Sequence, residues 1–176
     1  MRQILIAEDD PRDEQLTVAA LEEYNLANKI SIVRDGEETL DYLYRRGKFK
    51  TRPAGDPAVV LLDLKMPKVN GLDVLKIIKS DPQLKTIPIV VLTSSREEPD
   101  LIECYKLGVN AYVVKPVDFA EFMKAVRLLG VFWVAVNEPP ALAGTKNISP
   151  PGDEFISPGK KQSANEISAP HPASGR

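Results

Sequence analysis

The sequence has few of the residues that indicate a disulfide-bonded or histidine-dependent protein. Its 176 residues include one cysteine, Cys104, and one histidine, His171. A single cysteine cannot form an intrachain disulfide, and its place in a helical pattern favours a packing role. His171 lies between two prolines. We therefore expect no catalytic histidine.

Long apolar runs and an excess of basic charge are also lacking. The longest apolar stretch, 128–136, is well short of the roughly 20 residues that span a bilayer. The formal net charge of −2 gives no indication of a nucleic-acid partner or an anionic membrane surface. The chain starts Met-Arg-Gln and continues directly into a strand pattern, so no signal peptide is expected. These features predict a cytoplasmic protein.

The sequence does contain a regular alternation of strand-like and helix-like segments. Apolar runs predict strands at 3–7, 30–33, 59–62, 87–92 and 111–114. Amphipathic segments predict helices that begin near residues 11, 37, 71, 99 and 119, the second of them continuing to 46. This alternation predicts an α/β fold with a doubly wound parallel sheet and helices on both faces.

The composition changes at Asn137. Residues 137–176 hold seven of the chain's 15 prolines and show almost no periodic apolar pattern. Such a segment cannot bury enough apolar surface to offset the entropy lost on ordering. We therefore expect a folded domain over residues 1–136 and a Pro-rich, disordered tail over 137–176.

Polar side chains follow four of the predicted strands directly. They are Glu8-Asp9-Asp10, Asp63, Thr93-Ser94 and Lys115. A carboxylate is costly inside a strand that is buried on both faces, whereas the carboxyl ends of such strands line the ligand crevice of open α/β sheets. We therefore expect these side chains to meet at one rim of the sheet.

The residue types at this rim suit a divalent cation and a phosphoryl group. Glu8, Asp9 and Asp63 offer the hard oxygen ligands that Mg²⁺ prefers. A carboxylate beside such a metal can attack phosphorus, and the transferred charge then needs a cation and hydrogen-bond donors. Lys115 and Thr93 are placed for that role. Small Ser94 would leave the approach open.

Each rim group has an ordinary alternative when taken singly. Asp10 before Pro11 is better explained as a helix N-cap. Glu8 and Asp9 could be strand-end charges, Thr93 a loop cap and Lys115 a solvated cation. Their occurrence at four strand ends favours a shared site.

Together these motifs resemble the receiver domain of two-component response regulators. The resemblance covers about residues 2–130 and rests on Glu8-Asp9, Leu62-Asp63-Leu64-Lys65-Met66-Pro67, Gly71, Thr93-Ser94 and Lys115-Pro116. It implies a flavodoxin-like strand order of 2-1-3-4-5. It also implies that Asp63 accepts a phosphoryl group from a sensor histidine kinase and that Mg²⁺ is the cofactor.

The resemblance also assigns roles at the metal site. Asp9 would bind Mg²⁺ directly, and Glu8 would act nearby or through water. Asp63 and the backbone carbonyl of Lys65 would complete the site.

The resemblance assigns further roles around the phosphoryl group. Thr93 would be the switch hydroxyl, with Ser94 beside it. Lys115 would pair with the phosphoryl charge, on a peptide bond to Pro116 that is cis in the family. Tyr112 matches the aromatic switch position, with a partly buried strand tyrosine as the alternative.

A second set of residues is similar to the single-domain regulators paired with bacterial phytochromes. It comprises Asp35-Gly36-Glu37-Glu38, Tyr42-Leu43, Arg45-Arg46-Gly47, the loop to Asp56-Pro57, and Phe132-Trp133 through Pro140. This implies a photosensory histidine kinase as partner. A phosphorelay intermediate, or a receiver for a non-photosensory kinase, is the alternative.

Other functional classes fit less well. A DNA-binding regulator would need a helix-turn-helix module, and the last forty residues lack helical periodicity and basic clustering. An aspartyl phosphatase would favour a second acid two residues after Asp63, where this chain has Lys65. We therefore expect a phosphoacceptor that catalyses only its own phosphorylation and dephosphorylation.

The end of the fifth predicted helix is apolar on all sides. A surface helix of a monomer needs only one apolar stripe, so the excess predicts an exposed patch and a homodimer. The candidate interface residues are Leu128, Val131, Phe132, Trp133 and Val136. A segment that folds back on its own domain, or an extended arm, is the alternative.

Overall fold

The computed structural model describes residues 3–23, 26 and 30–138, which form five strands and five α-helices. The strands are β1 (Ile4–Ala7), β2 (Ile30–Val33), β3 (Val59–Leu62), β4 (Ile89–Thr93) and β5 (Ala111–Val114). The helices are α1 (Pro11–Glu22), α2 (Gly36–Tyr44), α3 (Gly71–Ser80), α4 (Glu98–Lys106) and α5 (Phe119–Val131). A short 3₁₀ helix (Gly47–Phe49) follows α2, and a π-helical turn (Phe132–Val136) follows α5. The predicted tail lies outside the described residues beyond Glu138.

The sheet is parallel throughout, with the order β2-β1-β3-β4-β5. The predicted doubly wound fold and its strand order are therefore confirmed. Ala7 at the end of β1 lies opposite Leu62 at the end of β3, and Thr93 lies opposite Val114 at the end of β5. Residues that follow these strands therefore emerge at the same edge of the sheet.

Two apolar clusters cover the two faces of the sheet. Alternate strand residues such as Ile4, Ile6 and Leu61 face α1 and α5. The residues between them, such as Leu5 and Leu62, face α2, α3 and α4. Burial on both faces explains why these strands read as continuous apolar runs. None of the helices in the described part of the chain is long and apolar enough to cross a membrane.

Polar caps begin four of the five α-helices. Each cap accepts a hydrogen bond from a backbone N–H in the first turn, which would otherwise lack a partner. The caps are Asp10, Asp35, Asn70 and Asp118. Asp10 is thus an N-cap, as its position before Pro11 predicted.

Several predicted boundaries differ from the structure. β4 begins at Ile89 rather than at residue 87, because Pro88 has no N–H to donate to a neighbouring strand. α2 ends at Tyr44 rather than at residue 46, because Arg45 adopts the left-handed conformation with φ of 56°. The predicted cis bond before Pro116 was wrong, since the described residues contain no cis peptide bond. The two isomers of such a bond differ by only about 0.5–1 kcal/mol, so the sequence does not decide between them.

The segment 128–136 divides its side chains between the core and the solvent. Val134 is buried, and Trp133 and Leu129 pack against the cluster beneath α1 and α5. Leu128, Phe132 and Val136 are 57%, 47% and 63% exposed. The segment is helical, so the alternative of an extended arm was wrong. The segment therefore folds back on its own domain along one face only. On the other face, the three exposed residues are spaced four apart and form an apolar row.

Candidate functional site

Three acidic side chains meet at the edge of the sheet where β1 and β3 end. Glu8 and Asp9 follow β1, and Asp63 follows β3. One carboxylate oxygen from each lies within 4.8 Å of the others. Glu8 and Asp63 are buried, whereas Asp9 is exposed to solvent. The residues predicted as metal ligands are therefore brought together, with a spacing that suits one cation bound by oxygens.

Lys115 lies against this acidic cluster. Its Nζ donates to Glu8 Oε2 at 2.6 Å, to Asp13 Oδ2 at 2.6 Å and to Asp63 Oδ2 at 3.0 Å. Its backbone N–H donates to the carbonyl of Thr93 at 2.8 Å, which ties Lys115 to the end of β4. Its side chain is only 8% exposed, so the ammonium is held where its charge is weakly screened.

Burial and charge set the protonation of these groups. Burial raises the pKa of Glu8 to about 7, although Lys115 opposes this shift. Burial also acts to raise the pKa of Asp63. There it is outweighed by the charge of Lys115, the Thr93 hydroxyl and other hydrogen bonds, which hold the pKa below its usual value. Asp63 is therefore ionised at neutral pH.

The pKa of Lys115 is raised for a related reason. Burial acts to lower it, but the hydrogen bonds to Asp13 and Glu8 and the charge of Asp63 outweigh that effect. Lys115 thus carries a full positive charge next to Asp63.

The hydroxyl of Thr93 connects Asp63 to α4. Thr93 is fully buried, and its hydroxyl lowers the pKa of the Asp63 carboxyl. The backbone N–H of Ser95 donates to Thr93 Oγ1 at 3.3 Å, and Ser95 Oγ donates to Asp100 Oδ2 in α4 at 2.8 Å. The hydroxyl of Tyr112 donates to the carbonyl of Ser95 at 3.2 Å. A movement of Thr93 would thus disturb the hydrogen bonds that Ser95 makes with Tyr112 and with α4.

The remaining predicted residues lie at the margin of the site. Ser94 is exposed beside the fully buried Thr93. The Lys65 side chain is exposed, and its backbone N–H donates to Asp63 Oδ1 at 3.2 Å. Ligation of a metal by the Lys65 carbonyl stays a prediction.

Two residues of this site were missed by the sequence interpretation. Asp13 contacts Lys115 from α1, and its position in the first turn of a helix indicated only a favourable helix-terminus charge. Ser95 joins Thr93 to α4. Its spacing of two from Thr93 could have indicated it, because residues two apart in an extended chain share a face.

Residues 4–127 match the family described as the response regulator receiver domain. The chain belongs to this family. Its receiver domain is 37% identical over 138 residues to the response regulator Rcp1 of Synechocystis sp., a match that covers 78% of this chain and 92% of Rcp1. The Mn²⁺-bound structure of Rcp1 has a TM-score of 0.74 at 36% identity, covering 80% of this chain and all of Rcp1.

Two further structures are similar to this receiver domain. The bacteriophytochrome response regulator AtBRR is 59% identical, with a TM-score of 0.64, over 78% of this chain and 99% of AtBRR. The phosphorylated cyanobacterial phytochrome response regulator RcpA is 36% identical, with a TM-score of 0.74, over 80% of this chain and 99% of RcpA. The predicted family, and the similarity to regulators associated with phytochromes, are therefore confirmed.

Proposed function

We propose that this receiver domain is a phosphorylation switch in which Asp63 accepts a phosphoryl group from a sensor histidine kinase. The observation that carries the proposal is the position of Asp63. Its carboxylate is buried, 3.0 Å from Lys115 Nζ, and has its pKa lowered by Lys115 and by the Thr93 hydroxyl. In the transfer, a carboxylate oxygen of Asp63 forms a bond to phosphorus. The phosphorus–nitrogen bond of the donor phosphohistidine breaks, and its electron pair stays on the nitrogen.

The acidic cluster fits Mg²⁺ as the cofactor of this step. Asp9, Glu8, Asp63 and the backbone carbonyl of Lys65 would hold the ion. The support is the spacing of the three carboxylates and the preference of Mg²⁺ for a few carboxylates together with phosphate oxygens. Bound there, the cation would offset the negative charge of the phosphoryl oxygens.

The protein's own groups would then respond to the new charge. Lys115 would pair with a phosphoryl oxygen. The Thr93 hydroxyl would turn towards another and loosen its contact with Ser95, while Ser94 leaves the approach open. Tyr112 would follow, because its hydroxyl is bonded to the Ser95 carbonyl. The output is a changed surface for partner binding or assembly. The only reactions that the protein catalyses are its own phosphorylation and dephosphorylation.

The sensor kinase that we propose as donor is a bacteriophytochrome. Support comes from the 59% identity to a bacteriophytochrome response regulator, AtBRR. A gene for a photosensory histidine kinase beside this one would strengthen the assignment. A neighbouring kinase of another sensory class would count against it.

Phosphorylation of Asp63 is tested with a small phosphodonor. Incubation with acetyl phosphate and Mg²⁺ is expected to add one phosphoryl group to the wild type, measured by intact mass. Asp63→Asn is expected to add none, because an amide is a poor nucleophile. Chelation of Mg²⁺ is expected to suppress the reaction in the wild type.

The matched control is Asp73→Asn, which removes an exposed carboxylate in the first turn of α3. This variant is expected to be phosphorylated like the wild type. Equal mass gain in the Asp63→Asn variant would place the phosphoacceptor elsewhere.

We also propose that the protein is a homodimer that uses the end of α5 and the turn after it. The interface would centre on the exposed Leu128, Phe132 and Val136, with the half-buried Val131 and Trp133 at its margin. Burying such side chains in both subunits supplies several kcal/mol at about 25 cal/mol per Å². A two-fold arrangement is the default symmetry for such a contact.

Light scattering tests the dimer at tens of micromolar. The wild type is expected to be dimeric, and a Leu128→Ala, Phe132→Ala variant is expected to shift towards monomer because it loses apolar contact area. Trp133 is left in place because it packs against the domain's own core. Val117→Ala is the control, since Val117 is 95% exposed and lies outside this surface. A monomeric wild type, with or without beryllofluoride, would contradict the proposal.

The domain boundary and the compartment are also proposals. We place the end of the receiver domain at residue 136 and a separate Pro-rich tail at 137–176, on the change in composition. We assign the protein to the cytoplasm, where the proposed kinase would present its phosphohistidine.

A further inference from the structure

The ammonium of Lys115 is shared among three carboxylates. Its three N–H donors match three acceptor oxygens, on Glu8, Asp13 and Asp63. Glu8 and Asp63 come from the strand ends and belong to the proposed metal cluster. Asp13 comes from α1 and lies outside that cluster. Its contact with Lys115 is as short as that of Glu8, at 2.6 Å.

A phosphoryl group on Asp63 would need a donor from this same ammonium. All three donors are already used, so one existing contact has to lengthen. When Glu8 and Asp63 turn towards a cation and the phosphoryl group, Asp13 is the carboxylate that still faces Lys115. Its side chain is 32% exposed, so solvent screens its charge only in part.

We propose that Asp13 is a positioning residue that competes with the phosphoryl group for Lys115 and thereby weakens the hold of the site on that group. The inference rests on the proposed phosphorylation of Asp63. Asp13 contacts neither the phosphoryl group nor the reacting oxygen and acts through the Lys115 ammonium. It tunes the lifetime of the phosphorylated state.

The sign of the effect follows from the charges. Removing a negative charge beside an anion-binding site strengthens anion binding. Without the Asp13 charge, Lys115 no longer pairs with a carboxylate that competes with the phosphoryl group. Asp13→Asn keeps an acceptor oxygen near Lys115 Nζ and removes only the charge. Asp13→Ala removes both. The two variants therefore separate competition from simple support of the lysine.

The test measures the affinity for beryllofluoride, which stands in for the phosphoryl group on a carboxylate. Titration of the full chain at saturating Mg²⁺ is expected to show about fivefold tighter binding for Asp13→Asn, at the low end of typical couplings between sites because Asp13 is partly exposed. Dephosphorylation after acetyl phosphate treatment is expected to slow by a similar factor. Asp13→Ala is expected to tighten binding as well.

The matched control is Glu14→Gln, which removes the same charge one residue further along α1. Glu14 pairs with Arg34 and has no hydrogen bond to Lys115. It is expected to bind beryllofluoride like the wild type. An equal gain in beryllofluoride affinity in Glu14→Gln would mean that the effect depends on net charge alone. That result would overturn the role of Asp13.

Two further results would overturn the proposed role of Asp13. Unchanged or weaker binding in Asp13→Asn would overturn the competition. Weaker binding in Asp13→Ala alone would mean that Asp13 merely supports Lys115, which overturns it too. A wild type that gains no phosphoryl group from acetyl phosphate would instead contradict the proposed function, so the two failures are distinguishable.

Discussion

Replacing Gly71 with alanine is expected to lower the free energy of unfolding by about 3 kcal/mol, because the added methyl group has no room. A Cβ at this position would lie 2.0 Å from the carbonyl oxygen of Asp63 and 2.7 Å from Cα of Leu64. Both are backbone atoms, so rotation of a side chain cannot relieve the clash. The backbone N–H of Gly71 also donates to the Leu64 carbonyl at 2.9 Å, which docks α3 on the end of β3.

The change would also reach the functional site, since the displaced atoms belong to Asp63 itself. Denaturant unfolding, with an unchanged slope, measures the loss, and a slower acetyl phosphate reaction would report the displaced carboxylate. Gly108→Ala is the control. Gly108 has a φ of 85° but nothing within 4 Å of an added Cβ, so only backbone strain of about 1 kcal/mol is expected. Equal losses in the two variants would show that the close contact at Gly71 contributes nothing.

Lys115→Met is expected to cost about 3 kcal/mol of stability in metal-free protein near pH 8, because it leaves buried carboxylates without their cation. Glu8 and Asp63 are 4% and 6% exposed at their side chains, so water compensates little. Added Mg²⁺ is expected to recover much of the loss, because it binds the folded acidic cluster in place of the lysine charge.

The loss is expected to depend on pH through Glu8. Burial already raises the pKa of Glu8 to about 7 with Lys115 present, and removal of Lys115 raises it further. A carboxyl whose pKa is higher in the folded state binds protons more tightly when folded. Its contribution to stability is therefore present at low pH and is lost as the pH rises through the folded value. The deficit of Lys115→Met should accordingly shrink on going from about pH 8 to about pH 5.

Lys68→Met is the matched control. Lys68 pairs with Asp35 and Glu37, but its side chain is 56% exposed. Exposed ion pairs contribute little to stability because solvent screens their charges, so a small loss without the same pH dependence is expected. A Lys115→Met loss as small as that of Lys68→Met would mean that the buried carboxylates are compensated without the lysine.

Much of the fold could be predicted from local patterns. The bounds of β2, β3 and β5 agree with the apolar runs, because strands covered by helices on both faces tolerate few polar residues. α1 begins directly after Asp10, the cap that the sequence indicated, because orphan N–H groups need an acceptor nearby in the chain. α5 begins at residue 119, as predicted. β4 was predicted less well, because the apolar run includes Ile87 and Pro88, which precede the paired residues.

The burial of individual side chains was harder to predict. Phe119 shares the helical apolar spacing of Phe122 and Val126, yet it is 57% exposed. It lies at the first position of α5, and the buried residues of that helix begin at Phe122. In the apolar segment that follows, periodicity could not show that Val134 would be buried while Phe132 stays exposed. Which face packs against a domain depends on the path of the whole helix.

The sequence by itself determined the alternation of strands and helices and the set of polar residues at the strand ends, because both follow from local chemistry along the chain. Only the tertiary structure decided which of these residues touch. Lys115 and Asp13 are separated by 102 positions, and α1 brings Asp13 to 2.6 Å from the ammonium. Such contacts depend on how the crossover helices pack across the sheet, and no spacing within one segment encodes that arrangement.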